Sequence, residues 1–496
     1  MVRSMKNAFA PVNRIPRDVL SIIPDYWADE DTGDEDLITL THVCRGWREL
    51  FISRPSLWAR LDCSNVEKTR VYIERSKSSP LKVCLREDDE YFPFLNDAFL
   101  RTVPYLGRLG SLTISGSSDN VVEIVNEYFK SPAPLLEKLK IHFTANPHAI
   151  NAAILDGNHS SLRELRLSGV LTDLPWKNLA NLTTFDFRHV PSNKISVTQL
   201  LDFFEYTPLL SKIKLWDALP TTSDIPLVRV VSLPHLKELN IINAQPVHSI
   251  LLEHLWIPSG AWLVLEFHFD SETSPIPDYL PKTLGYLDNL SHVTSINLYC
   301  GSEMSLRLEG SSGGLYAFGT WTGAATSLPV VHRRVLRSLN HFDISMTERF
   351  MVTAYSTPSP LKIKKNHPYQ TLLLMSALRT LILIDCLNVP FISALNPSQN
   401  PSGTLVCPEL EELALYIKEK EWFCISELSE MVKERGSRGA GLSTITIFSP
   451  QEFVPAKEVL KLRDHVSYVE YRLDDVLPVW DETPDDVEYF GYESDW

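Results

Sequence analysis

The sequence predicts an α/β fold in which short parallel strands stack side by side, with helices and loops behind them, after a small helical module. Three observations predict it. A six-residue pattern, apolar-x-x-apolar-x-apolar, recurs at 136–141, 162–167, 182–187, 210–215, 236–241, 293–298, 339–344, 378–383, 410–415 and 442–447, with looser copies from Leu109, Trp262 and Val466. Its spacing is nearly regular: 26 positions from Leu136 to Leu162 and from Leu210 to Leu236, and 32 from Leu378 to Leu410 and from Leu410 to Leu442. Before residue 61 the pattern is missing and apolar residues fall at helical spacing instead.

Taken in order, residues 1–12 read as a flexible lead. Ile15, Val19, Leu20 and Ile23 then share one helical face, with Pro16 in the first turn and Pro24 as a stop. The acidic stretch 25–36 reads as a solvated loop. Leu37, Leu40, Val43, Cys44, Trp47 and Phe51 make a second apolar face, and Leu57 and Trp58 close the unit.

These residues resemble the F-box. That family opens on Leu-Pro, has a middle helix ending Val-Cys-x-x-Trp and closes on Leu-Trp; here stand Ile15-Pro16, Val43-Cys44 with Trp47, and Leu57-Trp58. Ile15 replaces the usual Leu, and the acidic loop lengthens the first connection. The match covers residues 13–60. Length, acidity and irregular repeats are similar to the F-box proteins of mushroom-forming fungi. The resemblance implies a three-helix module docking on a Skp-family adaptor, which links to a cullin scaffold, through Ile15, Pro16, Val19, Leu20, Ile23, Leu37, Leu40, Val43, Cys44 and Trp47.

Residues 66–76 read as a helix and Leu81 to Leu85 as the first repeat strand. From 61 to 473 the period, one short strand per unit, predicts an irregular leucine-rich-repeat solenoid of roughly twelve repeats. Its parallel strands line a concave face, and helices and loops lie on the convex one. Capping boxes at Asn120 with Glu123 and at Ser196 with Gln199 open two convex helices. A third spans 426–435, closed by Gly436 in the left-handed conformation. The period breaks near 300–335, where Met304 to Leu308 and Leu315 to Phe318 flank a glycine-rich turn and predict a hairpin. A second insert, near 353–370, reads as loop because of Pro358, Pro360 and Pro368. Residues 474–496 hold nine carboxylates and no Lys or Arg, and read as a disordered acidic tail.

A net charge of −15 disfavours nucleic acid and anionic membrane surfaces as partners. No signal peptide or membrane span is visible, which predicts a cytoplasmic or nuclear protein. The seven cysteines are odd in number and lack C-x-x-C spacing, so reduced, buried thiols are expected rather than disulfides or zinc ligands. Gly310-Ser-Ser-Gly-Gly314 matches a nucleophile elbow, but a strand rather than a helix follows it. The glycines of 436–441 follow a helix and precede a strand, the reverse of a phosphate loop. No catalytic, cofactor-binding or metal-binding residue is assigned, and no cofactor is expected.

Along each strand side chains alternate, so positions 4 and 6 of the pattern point inward while 3, 5 and 7 point out. The early strands then present Lys138, Lys140, Arg166, Arg188, Lys212, Lys214 and Trp216. Glu164 and Asp186 interrupt this basic patch. Later strands present Tyr299, Ile382, Ile384, Tyr416 and Phe448. Such a face suits a protein target, unless loops or the acidic tail cover it. The F-box resemblance implies the substrate receptor of an SCF-type cullin-RING ubiquitin ligase, working in protein degradation and without chemistry of its own. The alternative is an F-box adaptor acting outside a ligase.

Overall fold

The computed structural model describes residues 11–20, 35–63, 65–87, 97–116, 132–143, 148–149, 160–171, 178–190, 195–222, 229–269, 276–300, 303–321, 336–354, 366–384, 388–418, 423–453 and 455–473. Ile23, the capping box at Asn120 and Glu123, and the acidic tail lie outside these residues, as does most of the N-terminal lead. The protein is mixed α/β, dominated by a large, mostly parallel sheet. Two compact units divide the chain, Met1–Val190 and Pro191–Asp495. The division falls inside the stretch that the sequence reads as one array.

In the first unit, a 3-10 turn at Pro11–Arg14 and helical residues 17–20 precede α1 (Glu35–Val43) and α2 (Arg45–Ile52). The apolar face read across 37–51 is therefore broken. Cys44 takes an extended backbone and caps α2, with its carbonyl accepting the Arg48 N–H at 3.0 Å. A 3-10 turn at Pro55–Trp58 buries Leu57 and Trp58. Trp58 is the hub here. Its indole N–H donates to the Phe51 carbonyl at 2.9 Å, the Arg75 guanidinium lies 4.3 Å above its ring, and Tyr72 meets it edge-on at 5.0 Å. Arg75 and Tyr72 belong to α3 (Val66–Ser76), whose Asn65 cap accepts from the Glu67 and Lys68 N–H groups.

The strands of this unit are β1 (Arg60–Leu61), β2 (Leu81–Arg86), β3 (Leu109–Gly116), β4 (Lys138–Phe143), β5 (His148–Ala149), β6 (Glu164–Ser168), β7 (Val170–Leu171) and β8 (Thr184–Val190). All pairings are parallel: β1, β2, β3, β4, β6 and β8 follow one another, and β5 pairs β7 apart. Leu136, Leu139 and Ile141 show why the pattern repeats. Each is at most 1% exposed, as positions 1, 4 and 6 all face the core.

The second unit holds β9 (Lys212–Ala218), β10 (Val231–Ser232), β11 (Glu238–Ile242), β12 (Leu255–Trp256), β13 (Trp262–Phe269), β14 (Ser295–Cys300), β15 (Glu303–Glu309), β16 (Gly314–Trp321), β17 (Arg349–Ala354), β18 (Thr380–Ile384), β19 (Glu412–Tyr416), β20 (Thr444–Phe448) and β21 (Tyr468–Arg472). Its helices are α4 (Val197–Tyr206), α5 (Val247–Glu253), α6 (Asn366–Leu373), α7 (Asn388–Leu395), α8 (Ile425–Ser437) and α9 (Ala456–Leu460). The predicted capping box opens α4: Ser196 Oγ accepts the Gln199 N–H at 3.1 Å, and Gln199 Oε1 accepts the Ser196 N–H at 2.8 Å.

The pairing order is β9, β11, β13, β16, β15, β14, β17, β18, β19, β20, β21, parallel except where β15 meets its two neighbours. The predicted hairpin is thus not an appendage. It supplies two strands of the sheet itself, wedged between β13 and β14. Its turn needs glycine because a Cβ on Gly313 would strike the Ala261 and Ser259 carbonyls, and one on Gly314 the Leu308 carbonyl. Close backbone approach therefore accounts for the Gly-x-Ser-x-Gly match.

Four sequence readings change. The copy at 339–344 is no strand: Leu339–His341 is a 3-10 turn, and β17 begins at Arg349. Position 1 of that repeat is Thr347, fully buried, with its hydroxyl donating to the Val293 carbonyl at 3.3 Å. Trp262 pairs with Glu238 and so sits at position 3, not position 1. The helix read over 426–435 runs on through Gly436 to Ser437, and Gly439 is the left-handed residue, at φ +77°. A helical glycine costs about 1 kcal/mol, which the packing of Leu428, Met431, Val432 and Arg435 offsets. Pro368 lies in the first turn of α6, where an N–H has no partner to lose.

Candidate functional site

Three regions carry the residues singled out by sequence. The N-terminal set divides by burial. Leu20 is 4% exposed, whereas Val19 is 48% and Val43 49% exposed. Pro16 is exposed too; Ile15, Leu37, Leu40, Cys44 and Trp47 are half-buried. Trp47 meets Phe51 edge-on at 5.6 Å, so it is partly core. Ile38, which the sequence reading passed over because it falls off the apolar stripe, is 39% exposed.

On the sheet face of the first unit, register brings the charges together. Lys138 stands opposite Glu164, and Lys140 opposite Arg166. The Glu164 carboxylate takes Arg166 at 2.7 Å, Lys138 at 3.4 Å and Lys140 at 3.7 Å. Burial raises the Glu164 carboxyl, but Arg166, Lys140 and Lys138 together outweigh it and hold the group below its usual range. One anion thus serves three cations, and the cluster keeps a positive excess. Arg188 behaves otherwise. It is 6% exposed and pairs with Asp186 through two bonds, at 2.7 and 2.5 Å. The pair is nearly sealed, so Arg188 adds little to a basic surface.

In the second unit Lys212 pairs with Glu238 at 3.5 Å, and the Lys214 ammonium lies 5.4 Å from the Trp216 ring. Tyr299, Thr353, Ile384, Tyr416, Phe448 and Arg472 form one row across neighbouring strands. Sequence reasoning expects the last aromatics to be exposed. Instead Tyr416 is 8% and Phe448 6% exposed, their rings 6.4 Å apart, in a cluster with Ile382 and Ile384. Strands about 4.8 Å apart put such rings in contact, so each hides the other. The hairpin adds Tyr316 and Phe318 to this face, stacked at 6.5 Å and half-buried. Their alternation in the sequence was legible; their place in the main sheet was not.

Burial pushes the Cys300 and Cys407 thiols up to about 12, which leaves them unreactive at neutral pH. Among the described residues no group of three or more His, Cys, Asp or Glu side chains could hold a metal ion. No described helix is long and apolar enough to cross a membrane.

No protein-family model and no curated protein matches the chain. Among solved structures, a Bacteroides fragilis protein determined by structural genomics aligns over 83% of this chain and 81% of its own, at 11% identity and a TM-score of 0.22. That superposition is too loose to inform fold or function.

Proposed function

We propose that this chain is the substrate-receptor subunit of an SCF-type cullin-RING ubiquitin ligase. Residues 13–60 act as an F-box and dock on a Skp-family adaptor. The repeat sheet, a leucine-rich-repeat solenoid in this reading, holds a protein target in the cytoplasm or nucleus. The chain catalyses nothing itself; it joins two binding partners.

The observation that carries the reading is the uneven burial of the N-terminal module. Its anchors Phe51, Leu57 and Trp58 are buried, Trp58 against Tyr72 and Arg75 of α3, while Val19, Ile38 and Val43 stay exposed. A partner polypeptide that covered these side chains would remove their apolar surface from water. The residues concerned include two of those through which the F-box resemblance implies docking.

The test is co-purification from cells of the tagged full chain, with Val19→Asp and Val43→Asp together as the variant. Both sites are exposed, so the circular dichroism spectrum and melting curve should not move. Adaptor recovery should fall by more than about thirtyfold, as losing interface anchors costs about 2 kcal/mol or more. Undiminished adaptor recovery would remove the F-box assignment. Adaptor without cullin would leave the docking and reject the ligase.

A further inference from the structure

The first unit contains a recess of about 450 Å³ on the outward face of β1, β2, β3 and β4. Its shape follows from the sequence of three neighbouring strands. Register sets Arg60 beside Lys82, Lys82 beside Ser111, and Ser111 beside Lys138; one step along, Thr113 stands beside Lys140. The middle strand, β3, therefore offers only a small hydroxyl at each outward position of this stretch. Beside Ser111 long cationic side chains rise on both sides, Lys82 and Lys138; beside Thr113 the neighbours are Cys84 and Lys140. Strand spacing of about 4.8 Å makes the trough between the two walls roughly 10 Å across. Short residues between longer ones make a groove; here the floor carries two hydroxyls, and Lys82 and Arg86 on one wall face Lys138 and Lys140 on the other.

The charge balance is one-sided. Arg60, Lys82, Arg86, Lys138 and Lys140 line the recess, and Glu137 is the acidic residue among its described lining. Glu164, which is not among that lining, is shared among Lys138, Lys140 and Arg166.

We propose that this recess is a binding site for an acidic segment of a partner polypeptide, whose carboxylate or phosphorylated side chains sit between the Lys82 and Lys138 walls and accept hydrogen bonds from Ser111 and Thr113. Charge-assisted bonds of this kind are short and strong, and several donors converging on one anion fix its position. A nucleic acid fits less well. No aromatic side chain is among the described lining to stack a base. The sequence predicts a basic patch over Lys138, Lys140, Arg166, Arg188, Lys212 and Lys214. In the structure Asp186 seals Arg188, and the cations that line a recess are those of β1, β2 and β4. This inference deepens the reading of the repeat sheet as the target-binding half. Its test uses the chain without adaptor, so its failure and that of the F-box reading are separable.

The experiment is fluorescence anisotropy with the full chain and labelled hexaglutamate, with hexalysine and a uridine hexanucleotide as parallel probes. Hexaglutamate should bind, hexalysine should not, and the nucleotide should bind more weakly. Lys82→Glu with Lys138→Glu should weaken hexaglutamate binding by at least about tenfold. Both lysines are exposed, so the fold should stand, checked by melting curve. Ser111→Leu removes no charge but fills the floor. It should also abolish binding, whereas attraction to a merely basic surface would survive it. Lys212→Glu with Lys214→Glu, in the other unit, should change nothing. Binding that survives both the wall and the floor variants, or a preference for the nucleotide, would overturn the proposal.

Discussion

At the residue scale, the turn after β9 is held by a histidine. Leucine-rich repeats usually place Asn or Cys where this chain has Val170, Ala218 and Ala244, and all three are buried. His248, 1% exposed, compensates: its Nε2 lies 3.0 Å from the Ala218 carbonyl, and its Nδ1 accepts the Gln245 N–H at 2.9 Å. Since Gln245 N–H donates to Nδ1, the ring's own proton belongs on Nε2, where Ala218 accepts it. Burial lowers the His248 pKa below its usual 6.5, against the opposing pull of the Ala218 carbonyl and of the Gln245 carbonyl, 3.1 Å from Nδ1, both of which would accept from a protonated ring. A base with a lowered folded pKa is neutral in both states above about 6.5, so its contribution is whole there. Below that value the unfolded chain binds the proton first and stability falls. Urea midpoints should therefore drop between pH 7.5 and 5. His248→Gln should cost about 1–3 kcal/mol at pH 7.5 and flatten that part of the pH dependence. Parallel pH curves for the two proteins would show that His248 is not the titrating group. A second buried base, Arg435, donates to the Val406 and Cys407 carbonyls, each at 2.7 Å, and fastens α8 to that loop. Neither role is legible in the sequence, because each partner lies some 30 positions away in a turn.

At the element scale, the strand is the unit that sequence describes best. Leu165, Leu239 and Leu413 hold position 4 in three repeats, and each is at most 1% exposed. Leu239→Ala should cost about 2–5 kcal/mol, by lost transfer energy and the cavity left behind. Contacts in a strand stack run mainly to neighbours, so hydrogen exchange should rise first in β9, β11 and β13. An even rise over the whole second unit would mean that it melts as one block. The pattern located most parallel strands of the main sheet because positions 1, 4 and 6 all demand apolar residues; the two-residue strands β1, β5, β7, β10 and β12 are too short to carry it. It lost β17 where Thr347 takes position 1 and satisfies its hydroxyl inside the core. The left-handed residues Gly169, His189, Asp217 and Asn243 all fall at position 8, a backbone period that no side-chain pattern announces. Helix ends were read less well, since the glycine at 436 and the proline at 368 both lie within helices.

At the scale of the whole molecule, charge is where sequence reasoning fell short, and the reason is register. Glu164 meets Lys138 and Lys140 only because β4 and β6 align across 26 residues, an outcome of pairing rather than composition, whereas Arg188 closes on Asp186 two residues away on its own strand. The acidic C-terminal segment supplies nine of the fifteen net negative charges. It could oppose an acidic ligand in two ways: by repulsion at a distance, or by occupying the recess of β1 to β4 in its place. Salt separates them. At about 0.15 M ionic strength the screening length is about 8 Å, so distant repulsion is largely removed. A tethered occupant would survive that screening better, because its effective concentration reaches the millimolar range. An external ligand being the favoured occupant, truncation after Leu473 should leave hexaglutamate affinity unchanged at physiological salt and raise it only at low salt. A tenfold gain that persists at about 0.15 M would instead identify the chain's own C-terminus as the resident of the recess, and the partner polypeptide as its competitor.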